Sequence, residues 1–301
     1  MKQTRQSALH QDMPKKLILI FSVFAIVVLF HLPQALAQTQ SDPHPLPATK
    51  ARLQPIVKGL LAAWDKFDVV CLGEDHGSKN DSDLRIALIE DPDFVRKVRV
   101  IMIESANIAH QDVLDRFVLD GEEMSREKLS VVWRDASGAE VWAAPIYEAF
   151  IRSVRKINLG VSREQRVRLL AGDNPKESNR GRFIREAVSR EILDKKLKGL
   201  TIYGAGHCIN YGGGFPGEIG DKYPDRIWSV FQFFNVDEGR RVFGLGDAPA
   251  LIPIKGTNQA KLPASKIFFL GRYNDNFTLG DYADAVVYFG NVKDVKVRPE
   301  K

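Results

Sequence analysis

The chain has 301 residues, 44% hydrophobic and 27% charged, with a formal charge of +5 and two cysteines. That composition excludes a disordered or fibrous chain and leaves length for one sizeable core or two small ones. The charge is concentrated at the start. Removing residues 1–37 takes away Lys2, Arg5, Lys15 and Lys16 against Asp12, so the remainder is nearly neutral at +2. With no basic run or basic-aromatic stripe in that remainder, neither nucleic acid nor an anionic membrane surface is implied as a partner.

Lys15 and Lys16 precede an apolar run from Leu17 to Leu32, followed by Pro33 and the small-residue pattern Ala35-Leu36-Ala37. This is the order of a cleavable secretory signal, and 16 residues are short for a span that usually needs about 20. Residues 1–37 are therefore read as a signal peptide and the protein as exported, periplasmic or secreted. It would be membrane-anchored if the signal is retained and has no stable insertion once it is cleaved. Met13, just before Pro14, is an alternative start to Met1. Residues 38–50 are polar and proline-rich and read as a tether; residues 51–301 read as one α/β domain.

From Ala51 the spacing of Leu53, Ile56, Val57, Leu60, Leu61 and Trp64 predicts a helix, and Phe67 to Leu72 predicts a buried strand. A helix over Asp83 to Ile89 follows, Pro92 interrupts, and Val98 to Glu104 is a second buried strand. Residues 109–157 carry helical spacing over Gln111 to Leu119, Glu122 to Val132 and Pro145 to Ile157, broken by Asp135 to Glu140, and read as a helical insertion. Arg166 to Pro175 is a third strand leaving through Gly172-Asp173, and Gly181 to Leu197 is a helix. A fourth strand begins at Leu200 and leaves through His207 into a glycine-rich loop. Further strands are predicted at Ile227 to Phe234, Ile267 to Phe269 and Ala285 to Tyr288. Short apolar strands alternating with helices predict a largely parallel central sheet with helices on both faces.

In such sheets ligands bind beyond the carboxyl ends of the strands. Four predicted exits carry ionisable groups: Glu74 and His76, Glu104, Asp173, and His207. Two histidines with carboxylates suit a zinc-like divalent metal held by Glu74, His76, Glu104 and His207, and equally suit paired acid and base work by the same four residues. Taken singly, Glu74 reads also as a helix cap, Glu104 as an exposed turn residue and Asp173 as a turn. Their conjunction points to a site. Haem is the alternative cofactor, on His76 and His207 with Tyr203 and Tyr211 nearby, although no Cys-x-x-Cys-His attachment is present. Cys71 and Cys208 fit either a disulfide in an oxidising compartment or two buried small residues.

Gly73-Glu74-Asp75-His76-Gly77, Glu104 in VIMIES, Val132 to Ser137, Leu169 to Pro175 and Ile202 to His207 together resemble the erythromycin esterase-like and ChaN-like superfamily, which also includes the Tiki proteases. The resemblance covers about residues 51–235. It implies a polar site of Glu74, His76, Glu104 and His207, supported by Asp173, Arg180 and Arg182. In that family an Arg-Asp pair often opens the helix after the third strand, whereas the place here reads Arg180-Gly181-Arg182. Members hydrolyse a macrolide ester, act as metal-dependent proteases or bind haem. The expected function is an exported hydrolase, working with or without a divalent metal, acting on an ester or amide in a small molecule or peptide. A haem- or metal-binding protein without catalysis and a non-catalytic scaffold are the alternatives.

Overall fold

A computed structural model describes residues 42–233, 236–266 and 277–299. The expected signal peptide and the strand expected at Ile267 to Phe269 lie outside them.

Pro47–Ala63 forms helix α1, with proline in its first turn, where a missing N–H breaks no helical bond. The helix thus begins inside the stretch expected as tether. Strand β1 follows at Val69–Glu74, then helices α2 at Lys79–Ile89 and α3 at Pro92–Lys97. Pro92 does not simply interrupt: it sits in the first turn of α3, and the Asp91 carboxylate caps that turn by accepting from Asp93 N at 3.0 Å. Strand β2 runs Val100–Asn107, three residues past the expected end at Glu104. The insertion contains a turn of helix at Gln111–Leu114, then α4 at Arg126–Arg134, α5 at Ala139–Trp142 and α6 at Pro145–Leu159. Strand β3 is Arg168–Asp173, helix α7 is Arg180–Val188, and β4 is Gly199–Gly204. Strands β5 at Ile227–Gln232, β6 at Ala250–Pro253 and β7 at Ala285–Tyr288 complete the sheet.

The seven strands lie in the order β3-β2-β4-β1-β5-β7-β6, parallel throughout except β6, which runs antiparallel to β7. Strand β6 carries no alternation strong enough to mark it in the sequence. Each central strand is buried on both faces, and the two-residue period sorts its side chains between two cores. Val70, Leu72, Ile101, Ile103, Leu200, Ile202 and Val230 pack under α1, α2 and the helices of the insertion. Val69, Cys71, Val100, Met102, Tyr203 and Phe231 pack under α7 and the elements that follow β4. The helices on both faces are thus a consequence of sheet alternation, and the insertion belongs to one face alone.

Two long-range connections reach the exit of β1. Cys71 is bonded to Cys208, Cα to Cα 5.6 Å, across a sequence separation of 137 residues. The chain end also returns to this place. Val297 N donates to Gly77 O at 2.8 Å and Lys79 N donates to Val295 O at 2.9 Å. Asp294 Oδ1 accepts from Asn80 N at 3.1 Å, and Lys296 Nζ donates to His76 O at 3.1 Å. Residues 294–297 therefore strap the loop between β1 and α2. Among the described residues, no helix is long and apolar enough to cross a membrane.

A disulfide closing so long a loop removes much conformational freedom from the unfolded chain. Replacing both Cys71 and Cys208 by alanine is expected to lower stability by about 2–5 kcal/mol, measured by urea unfolding. Titration of the native protein should detect no free thiol.

Candidate active site

The strand order places β3, β2, β4 and β1 side by side, so the four exits singled out in the sequence open on one edge of the sheet. Glu74 ends β1, Asp173 ends β3, Glu104 lies within β2, and His207 sits in a turn at Ala205–His207 after β4. The three carboxylates are almost fully buried, Glu74 at 5%, Glu104 at 4% and Asp173 at 1% exposure. Buried anions persist only when paired and hydrogen-bonded. The partners of each define the site.

Glu74 does not cap α2; that role falls to Ser78, whose hydroxyl accepts from Asp81 N at 3.1 Å. Instead Glu74 Oε1 accepts from His76 Nδ1 at 2.8 Å and from the Tyr147 hydroxyl at 3.1 Å. Its other oxygen is ion-paired with the buried Arg85 guanidinium of α2. A carboxylate on Nδ1 fixes the imidazole tautomer with the proton there and leaves Nε2 as the basic nitrogen. Tyr147, from α6, accepts from Gly77 N at 3.0 Å, so one hydroxyl holds both the carboxylate and the loop. Trp142 stands edge-on to the rings of His76 and Tyr147, with centroids 4.7 and 4.9 Å away, and limits the tilt of the histidine.

Glu104 takes the opposite position. Its Oε2 accepts from Gly204 N at 2.6 Å and lies 3.9 Å from His76 Nε2. Its Oε1 accepts from Arg180 Nη2 at 2.8 Å and lies 3.5 Å from His207 Nε2. The same guanidinium nitrogen is 3.2 Å from Asp173 Oδ1, a charge contact without hydrogen-bond alignment. Asp173 Oδ2 accepts from Ser137 N at 2.7 Å, which ties the break between α4 and α5 to the edge of the sheet. Gly204 is required by proximity: a Cβ there would stand 2.9 Å from the His76 ring and 3.5 Å from Glu104 Oε2.

The electrostatics divide the two halves. Burial pushes His76 below its ordinary value, against the pull of Glu104 and Asp75, so the ring is neutral at pH 7. Burial alone would raise Glu104, but the His207 contact, the Gly204 N–H and His76 outweigh it and hold the carboxyl at about 2. Burial raises the Tyr147 hydroxyl to about 12 and lowers Arg85 to about 10, so the first stays protonated and the second charged.

Of the supporting residues expected from sequence, Asp173 and Arg180 are in the cluster and Arg182 is not. Arg182 Nη2 donates to Glu177 Oε2 at 2.9 Å on the exposed start of α7, because residues two apart on a helix do not share a face. Arg85, Tyr147 and Trp142 were not singled out in the sequence: the first two lie inside ordinary helical patterns, and Trp142 falls between the break at Asp135 to Glu140 and the helix expected from Pro145. The one available signal was a charged residue within the apolar stretch Leu84 to Ile89. Among the described residues, no three histidines, cysteines or acids are arranged to hold a metal ion.

No protein-family profile and no curated protein matches the chain. Among solved structures it is similar to a Bacillus cereus protein at 12% identity, covering 80% of this chain and 93% of that one with a TM-score of 0.53. It also aligns with a succinoglycan biosynthesis protein at 10% identity, 58% and 68% coverage and TM-score 0.41. A third alignment is with the type III effector HopBA1 at 16% identity, 51% and 74% coverage and TM-score 0.32. The first likeness establishes a shared fold.

Arg85→Leu should leave the buried Glu74 charge without its cation and cost about 3–5 kcal/mol in denaturant unfolding. A second outcome concerns acid. The folded value of Glu104, about 2, lies below the ordinary carboxylate value near 4.3. Its stabilisation is therefore complete above about pH 4.3 and lost as pH falls toward 2. Glu104→Gln should flatten the stability profile measured across that window.

Proposed function

We propose that this protein is an exported hydrolase of ester or amide bonds, related to the erythromycin esterase-like and ChaN-like superfamily, in which His76 is the general base. The observation that carries the reading is the division of labour around His76. Glu74 holds Nδ1, and the neutral Nε2 faces the edge of the sheet. That is the base-and-orienter arrangement of acyl-transfer sites. Nε2 takes a proton from water as the oxygen attacks the substrate carbonyl, and returns it to the leaving oxygen or nitrogen as the tetrahedral intermediate collapses. The Arg180 cation and His207 face the developing oxyanion, while Glu104 anchors both. An apolar leader and a disulfide both fit export into an oxidising compartment.

The donor set favours acid-base chemistry over a resident metal or haem. Glu74 is consumed by Arg85, Tyr147 and His76 Nδ1, and Arg180 already supplies the positive charge on Glu104. Of the expected ligand set this leaves the Nε2 atoms of His76 and His207, 3.9 and 3.5 Å from the Glu104 oxygens.

Purified protein is expected to turn over part of a panel of small esters and peptides, with His76→Ala lowering kcat by about 10²–10⁴. The acid limb of its pH–rate profile should fall below the ordinary histidine value of about 6.5. Wild-type rates from His76→Ala, or no turnover across the panel, would overturn the reading. Activity that chelation abolishes and zinc restores would assign the base to a metal-bound water instead.

A further inference from the structure

A cavity of about 480 Å³ opens at the edge of the sheet opposite to Glu104, where the parallel strands begin. Phe67 leads into β1, Trp228 is the second residue of β5 and Asp284 immediately precedes β7. The cavity therefore crosses three neighbouring strands, about 10 Å from the first to the third. Helix α1 covers it, and contact with β6 closes one end, since a Cβ at Gly59 would stand 2.7 Å from Leu251 Cδ2. Beyond that contact α1 lines the space with Ala62 and Ala63, which are too short to fill it.

The floor is aromatic: the rings of Phe67 and Trp228 lie 5.9 Å apart and within 14° of parallel. The ionisable groups that line the cavity are one acid and two lysines. Asp284 is 4% exposed and turned inward, its Oδ2 accepting from Ser229 N at 2.8 Å. Lys255 Nζ stands 3.8 Å from Asp284 Oδ1 and 3.6 Å from Asp225 Oδ1, outside hydrogen-bond reach of both, so its donors are open. Lys66, at the β1 end, is exposed and has no counter-ion among the described residues. The acids beside it in sequence are already paired, Asp65 with Lys97 at 2.5 Å and Asp68 with Arg226 and Lys198. The unmatched charge of the cavity is therefore positive, and it sits at the end next to the aromatic floor.

We propose that this cavity is a binding site for an aromatic carboxylate, with the ring against Phe67 and Trp228 and the carboxylate on the Lys66 ammonium. An aromatic pair favours a flat ring that extends its stack, and the carboxylate supplies the counter-ion that Lys66 lacks. The volume and the apolar walls with a few polar groups suit a small organic molecule. Because the site lies across the sheet from His76, its occupancy does not depend on whether that histidine hydrolyses anything.

The test uses 2-naphthoate as the probe, with 2-naphthylmethanol and 2-naphthylmethylammonium as controls, titrated at millimolar concentration into isotopically labelled protein. Trp228 is one of four tryptophans, so its indole N–H resonance is assigned by its absence from Trp228→Phe. Naphthoate should shift that resonance at the lowest concentration, the alcohol at a higher one and the ammonium at the highest. Lys66→Gln should weaken naphthoate binding roughly fivefold and leave the alcohol unchanged. Ala62→Trp, at an exposed position in the cavity wall, should remove the shift from a protein that remains folded. Binding of the alcohol or the ammonium as tight as that of naphthoate would overturn the proposal. So would unchanged naphthoate binding in Lys66→Gln, a shift that survives Ala62→Trp, or no shift at all. Because the readout is binding at the far edge of the sheet, a negative result leaves hydrolysis by His76 untouched, and an inactive His76 leaves this site untouched.

Discussion

A buried carboxylate in the middle of a parallel sheet is the constraint around which this edge of the molecule is organised. Glu104 occupies a strand position where an apolar side chain would cost nothing, and its negative charge has to be met from every side. Strand β4 meets it with a backbone N–H and α7 with a guanidinium, while the imidazoles of His207 and His76, in the loops after β4 and β1, stand 3.5 and 3.9 Å from its oxygens. Those four partners come from four segments separated by as many as 131 positions, from His76 to His207. Their convergence requires the strand order β2-β4-β1, with β4 inserted between its two elders.

Around this anion the site has two layers with different tasks. The Arg85–Glu74–Tyr147 group is sealed between the sheet and the helices of one face, where Arg85 also lies 5.5 Å from the Tyr147 ring centroid and 5.7 Å from that of Phe150. It sets the orientation of His76 and nothing in it needs to move. Arg180 and His207 belong to the opposite face and are partly exposed to solvent. On the proposed reading, in which His76 is the base, a rigid base opposite accessible donors is the arrangement that acyl transfer needs.

The sequence made the sheet legible because its central strands are buried on both faces, which leaves short apolar runs that end abruptly in Glu74, Asp173 or the glycines before His207. It placed the end of β2 too early, since an acid inside a strand is indistinguishable from an acid that ends one until its partners are known. Strand β6 escaped notice for the same kind of reason: at the edge of the sheet its residues are only partly buried and show no alternation. Arg85 and Tyr147 were hidden by position on ordinary helices, where only the fold reveals that their heads point into the sheet's edge. Arg182 erred the other way, since proximity to Arg180 in sequence puts it on a different side of α7. Pairing of Cys71 with Cys208 stood open in the sequence and depended on β1 and β4 being neighbours, which the register of Cys71 opposite Thr201 provides.

The strap formed by residues 294–297 bears on the order in which the molecule is completed. Lys296 reaches back across 220 positions to the carbonyl of His76, and Val297 donates beside it to Gly77. The sheet, the disulfide and the Glu104 cluster can therefore form while the His76 loop is still untied on one side. Final closure of that loop waits for residues 294–297, so a change in a segment outside the sheet acts directly on the backbone that carries His76.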